Sequence, residues 1–191
     1  MIYRIHPNIK DFLMLTFDGD KAREALGEDT DFYMDERPIP YSTDWQPMEI
    51  GFSDAFGGKN KKELPDISLN VGKLFLSEKA YNILKDLIEN NGEFLPVKYD
   101  DKKGFIFNGL TTINHNEELS IHDPMNDRFS VVFDNSEVGC NSIFKAEIDF
   151  DAYFCQNELK QIVEKNNLTG INFSQDIGNP FPEELDMKVE H

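Results

Sequence analysis

Between residues 67 and 107 the hydrophobic period changes twice, and few folds accommodate such a change. Ser77 is placed as an N-cap, and Ala80, Leu84, Leu87 and Ile88 follow at helical spacing, with Tyr81 and Ile83 widening the stripe. Asn90-Asn91-Gly92 stops that helix, with Gly92 placed for a left-handed cap. Two β-rich runs come next, Glu93–Tyr99 and Gly104–Phe107, joined by Asp100-Asp101-Lys102-Lys103. That is a hairpin pattern, and Pro96 assigns its first strand to an edge, because proline cannot donate to a ladder. A helix running straight into a hairpin calls for a helix packed on an antiparallel sheet.

The remaining segments extend this plan. Ile2-Tyr3-Arg4-Ile5 reads as an edge strand stopped by Pro7, and Asp20–Gly27 as a short helix ended by Gly27. From Thr30 to Pro65 the chain is rich in Pro, Gly, Asp and aromatics, which reads as irregular packed structure with one strand over Met48–Phe52. So long a segment without regular structure is often functional. Arg128–Phe133 and Ile143–Ile148 read as strands joined by a polar turn, Tyr153–Cys155 as a short extended piece, Asn157–Asn166 as a helix and Leu168–Ser174 as a strand. The expectation is an α+β fold: an antiparallel sheet with one or two packed helices and an irregular N-terminal third. In that division residues 1–66 pack on an α+β core over 67–175, residues 176–191 form an acidic C-terminal tail, and the whole is one domain. Sixteen Phe residues supply a core without needing hydrogen-bond partners.

Charge narrows the partners. The net charge is −17, shared as −6 over residues 1–66, −3 over 67–125 and −8 over 126–191. It belongs to the whole domain and not to a tail. Such a field repels nucleic acid and anionic lipid, and draws in basic partners; acidity that merely maintains solubility is the alternative. Cys140 and Cys155 have no ligand spacing for zinc. The N-terminal residues carry no apolar signal run and no stretch reaches membrane-spanning length, so a cytoplasmic protein with reduced thiols is expected.

A search for chemistry returns no catalytic set, no metal site and no cofactor motif. His115 and His122 lie with Glu117, Glu118 and Asp123 in a polar stretch that lacks HExxH spacing and a helical period. There is no GxSxG, and Gly57-Gly58-Lys59 lacks the phosphate-loop pattern. Lys59, Lys61 and Lys62 read as a solvated loop tip, and the carboxylate sets Asp31/Asp35/Glu36 and Asp149/Asp151 do not match a calcium loop. Features that suit binding are Tyr33, Tyr41, Asp44 and Trp45, aromatics flanked by acids, together with Glu117 and Glu118. For Trp45 the competing reading is that it packs the N-terminal segment onto the sheet.

Several pieces occur in an order that resembles a known family. They are Leu64-Pro65-Asp66-Ile67, Gly72-Lys73-Leu74-Phe75-Leu76-Ser77-Glu78-Lys79-Ala80 and Gly92-Glu93-Phe94-Leu95-Pro96-Val97, then Ile143-Phe144-Lys145 and Leu168-Thr169-Gly170-Ile171-Asn172-Phe173. Over residues 64–174 the chain resembles the immunity proteins of bacterial polymorphic toxin systems, immunity family eleven. Residues 1–63 match loosely, through Trp45-Gln46-Pro47. The resemblance implies a protein without enzymatic activity that binds a toxin encoded beside it, a basic one if it is a nuclease. Two other readings stay open: a scaffold module, and a hydrolase whose site is assembled from scattered residues such as His115 and His122.

Overall fold

The computed structural model describes residues 1–57, 62–123, 128–182 and 185. The chain runs β1 (Ile2–Pro7), β2 (Met14–Thr16), α1 (Gly19–Leu26), β3 (Met48–Glu49), β4 (Gly51–Ser53), β5 (Ile67–Asn70) and β6 (Lys73–Ser77). It continues through α2 (Glu78–Ile88), β7 (Gly92–Tyr99), β8 (Lys102–Gly109), β9 (Ile121–Asp123), β10 (Arg128–Ser130) and α3 (Asn135–Val138). The last elements are β11 (Ile143–Ala146), β12 (Asp149–Gln156), α4 (Asn157–Lys165) and β13 (Ile171–Ser174). The fold is α+β, as expected, but it is built on two main sheets. One has the order β3-β7-β8-β6-β5, antiparallel except for the β3·β7 pair, and the other has the antiparallel order β11-β12-β1-β13. Residues 1–66 supply β3 to the first sheet and β1 to the second.

Each main sheet is covered on both faces, which explains why its strands read as unbroken apolar runs. Leu74 and Leu76 of β6 and Tyr153 and Cys155 of β12 point into a shared central core with Ala80, Leu84 and Ile88 of α2 and Leu159 and Val163 of α4. The intervening Phe75 faces a second core with Leu15, Ala22 and Phe32, and the intervening Phe154 a third with Val131, Phe133 and Val138. Alternation along a strand (period two) sorts these side chains between cores.

The hairpin is tighter than expected. Tyr99 pairs with Lys102, which leaves a two-residue turn in which Asp100 and Asp101 both have positive φ, 44° and 60°. That handedness matches the twist of the flanking strands. Pro96 lies beside the short β3, whose pairing with β7 covers only Val97 and Lys98.

Several expectations change, among them the single strand over Met48–Phe52, which divides into β3 and β4 of different sheets. β1 is interior to its sheet; Pro7 is tolerated because it is the last residue of the strand. Gly92 is not a left-handed cap. Helix α2 tightens into a 3-10 turn over Glu89–Asn91, and Gly92 opens β7 in an extended conformation, φ 179°. Glycine is needed there for closeness: a Cβ would lie 2.3 Å from the Asn108 carbonyl oxygen. The strands at 128 and 143 are not partners, because β10 pairs with β9 and β11 with β12. Val131 and Phe133 instead leave the ladder to seal the third core, and α3 intervenes. Finally, Tyr153–Cys155 is the middle of an eight-residue strand. Cys155 is buried and Cys140 exposed, and both are free thiols.

Three of the pieces that carry the family resemblance, around Asp66, Ser77 and Thr169, meet at one place. Asp66 accepts from the Ser77 hydroxyl at 3.1 Å, the Lys79 amine at 2.9 Å and the Thr169 amide at 3.2 Å. The Ser77 hydroxyl in turn accepts from the Ala80 amide at 3.2 Å, so one carboxylate ties the α2 cap to the turn before β13. Gly170 completes the junction at φ 102°, where a Cβ would come within 2.1 Å of the Ile67 carbonyl oxygen. Burial works to raise the Asp66 pKa, but the hydrogen bonds from Lys79, Thr169 and Ser77 outweigh it and hold the carboxyl below its usual 3.8. A depressed carboxylate contributes stability above its unfolded pKa and loses it as pH falls through the folded one. We therefore expect Asp66→Ala to cost about 2 kcal/mol at pH 7 in urea unfolding, and the gap from the parent to close as pH drops below the carboxylate range.

Candidate functional site

The segment between α1 and β3 crosses the outer face of the five-stranded sheet as a strap without regular structure. Its backbone polar groups still need partners, since an unmet buried donor or acceptor costs free energy comparable to a lost hydrogen bond. Side chains from both sheets supply them. Lys73 of β6 donates to the Asp35 carbonyl at 2.6 Å, and Lys145 of β11 donates to the Glu36 carbonyl at 2.6 Å and the Phe150 carbonyl at 2.9 Å. Asn108 of β8 donates to the Ile39 carbonyl at 2.8 Å. Glu93 of β7 accepts from the Tyr41 amide at 2.7 Å and the Ser42 amide at 3.0 Å. Trp45 donates its indole N–H to the Pro96 carbonyl at 2.9 Å.

Both lysines are 0% exposed. Burial lowers the Lys73 pKa to about 8, against the raising influence of Asp35, Glu36, Asp151 and Glu93. Burial, and then the neighbouring Lys73 charge, lower Lys145 to about 7, against Asp151, Glu36 and Asp35. The Lys73 amine also lies over the rings of Phe32 at 5.3 Å and Tyr41 at 5.7 Å. A lysine within an apolar strand run, as in Lys73-Leu74-Phe75-Leu76 and Ile143-Phe144-Lys145-Ala146, was the available sequence signal for this arrangement.

The outer side of the strap and the end of α1 border a half-open cavity of about 320 Å³, lined by Leu26, Pro40 and Tyr41 and by Glu28, Asp29 and Asp44. None of these three carboxylates pairs with a cation among the described residues. An aromatic wall with unpaired carboxylates suits a cationic side chain. A second cleft, about 560 Å³, lies by β4 and includes Lys62. Lys62 is no solvated tip: its amine donates to Asp54 at 2.7 Å and to the Ile9 carbonyl at 2.6 Å. Lys59 and Lys61 lie outside the described residues.

The structure brings Tyr41 and Asp44 together in the smaller cavity. Trp45 stands behind them, its ring packed edge-on against Phe32 with centroids 5.0 Å apart, so it fastens the strap to the sheet. Tyr33 turns to α1, where its hydroxyl accepts from Arg23 at 2.6 Å under the guanidinium. Glu117 and Glu118 are exposed on the loop before β9, apart from the strap. His115 is half-buried, and the side chain of His122 lies outside the described residues, as does half of the acidic segment 176–191. Among the described residues no group of three or more His, Cys, Asp or Glu is placed to hold a metal ion, and no helix is long and apolar enough to cross a membrane.

A lysine whose folded pKa lies below its unfolded 10.5 disfavours the fold while charged. The unfolded chain then binds more protons, so stability rises with pH above the folded pKa values. Burial raises the Cys155 pKa, and this acts oppositely once an unfolded thiol ionises near pH 9. Urea midpoints of the parent are therefore expected to climb from pH 6.5 to 8.5, and Lys145→Met should flatten the climb. The variant also leaves two carbonyls without their donor and should lose about 2 kcal/mol at pH 8.5.

No family model matches the chain. A search of curated proteins finds a β-agarase of Phocaeicola plebeius, 30% identical over 82 aligned residues, covering 34% of this chain and 26% of the enzyme. The chain thus spans about a quarter of the length of the curated relative it matches.

Proposed function

We propose that this chain is an immunity protein, acting in the cytoplasm, that binds a basic bacterial toxin and covers its functional face. One observation carries the reading: within a chain of net charge −17, the strap holds Tyr41 and three carboxylates, which pair with no cation among the described residues, around a cavity of about 320 Å³. Hydrogen bonds from both main sheets hold the strap before any partner arrives, which limits the ordering cost of association. The acidic field supplies long-range attraction, which raises the association rate more than the final affinity. Motifs resembling immunity family eleven support the same reading. A nuclease fits best, because a nucleic-acid-binding face is basic.

Co-expression with the toxin encoded beside the chain tests it. The expected outcome is protection of the host cell and a complex, without turnover of the toxin, that associates more slowly as salt rises. Replacing Glu28, Asp29 and Asp44 by their amides is expected to slow association about tenfold at low salt. Absence of a complex at both low and moderate salt overturns the reading.

A further inference from the structure

Among the described residues the exposed large apolar side chains are Met1, Met34, Phe56, Leu119, Ile121 and Phe181. Single exposed apolar residues are ordinary on protein surfaces. Leu119 and Ile121 are different: they are two residues apart, 57% and 66% exposed, and they directly follow Glu117 and Glu118, which are also exposed.

The backbone that carries them is tied down. The Asn116 side-chain oxygen accepts from the amides of Glu118 and Leu119, both at 3.0 Å, and its amide group donates to both Asp134 carboxylate oxygens at 3.1 and 3.0 Å. The Asn116 backbone amide donates to the Val132 carbonyl at 2.7 Å, and the Ser120 amide to the Asn116 carbonyl at 2.9 Å. The Ser120 hydroxyl accepts from the Val132 amide at 3.0 Å. Ile113, Val131 and Phe133 are buried in the third core, which anchors the segments before β9 and after β10. Two aliphatic side chains are thus displayed on an ordered backbone instead of turning inward to the core beside them.

We infer that Leu119 and Ile121 are the apolar anchors with which the chain docks on a basic protein, Glu117 and Glu118 forming the charged rim of that contact. The inference rests on the immunity reading and adds a contact that the strap does not provide. Its occupant is a surface with an apolar depression bordered by Lys or Arg. Charge selects that occupant: two copies of this chain would bring net charges of −17 together with Glu117 and Glu118 at the contact, and anionic lipid would be repelled in the same way.

The experiment measures surface plasmon resonance of the purified, full-length chain against a catalytically inactive form of the toxin encoded beside it. Because all four side chains are exposed, Leu119→Ser/Ile121→Ser and Glu117→Gln/Glu118→Gln are expected to melt like the parent. The serine pair should dissociate at least about 30-fold faster, since burial of two aliphatic side chains is lost without any change of charge. The glutamine pair should mainly slow association, with the difference fading as salt rises. Dissociation of the serine pair at the parent's rate overturns the loop assignment and leaves the immunity reading standing. A parent that binds no toxin at low or moderate salt overturns both. Sedimentation showing a parent dimer that the serine pair dissolves gives the loop to a second copy of the chain and overturns the assignment to a basic partner.

Discussion

Two buried ammonium groups fix the relation between the irregular strap and the sheets. Lys73 and Lys145 come from different sheets and reach consecutive carbonyls of the same segment. A strap without helix or ladder bonds can lie over a buried surface only if other groups satisfy its peptides. Lysine is suited to this, being long enough to cross an apolar layer and carrying up to three donors at its tip. The arrangement carries a cost, visible in the lowered pKa of both amines. Ionised and buried, they oppose folding; hydrogen-bonded, they make the strap's path specific. Phe32 depends on this path, because it is fully buried only while the strap is in place, and Tyr41 and Trp45 pack around it.

The junction around Asp66 does for the central core what the lysines do for the strap. It gathers groups from the ends of β6, α2 and the turn into β13, so that helices α2 and α4 are held over one core. The motifs that carry the family resemblance are therefore explained largely by fold. Ser77 caps, Asp66 bridges, and Gly170 allows an approach that no side chain would permit. A resemblance built on such residues speaks to architecture.

Local chemistry was legible in the sequence. The α2 cap at Ser77, the stripe of Ala80, Leu84 and Ile88, the Gly27 stop and the hairpin at Asp100-Asp101 all follow from rules that act within a few residues. What was hidden is long-range. Nothing within Ile2–Ile5 reveals two antiparallel neighbours drawn from residues 153–156 and 171–174, so an interior strand reads as an edge. The run at 128–133 satisfies a strand pattern, yet Val131 and Phe133 are used for packing and not for pairing. At the candidate site, Tyr41 and Asp44 were visible as an aromatic flanked by acids. Glu93 and Asn108, which position the strap from 50 or more residues away, carry no local mark.

The placement of β1 bears on how the chain assembles. Strands β5 to β8 and helix α2 form a continuous stretch of sequence, so most of the five-stranded sheet is complete once residue 109 is available. The four-stranded sheet has the opposite character. Its interior strand is the first in the chain, and both neighbours of that strand follow residue 148. During vectorial synthesis Ile2–Pro7 therefore stays unpaired until residues 149–156 emerge, with both edges open and Tyr3 and Ile5 uncovered. Loop closure of this span must precede the contacts that reward it, which makes this sheet the slow half of the molecule.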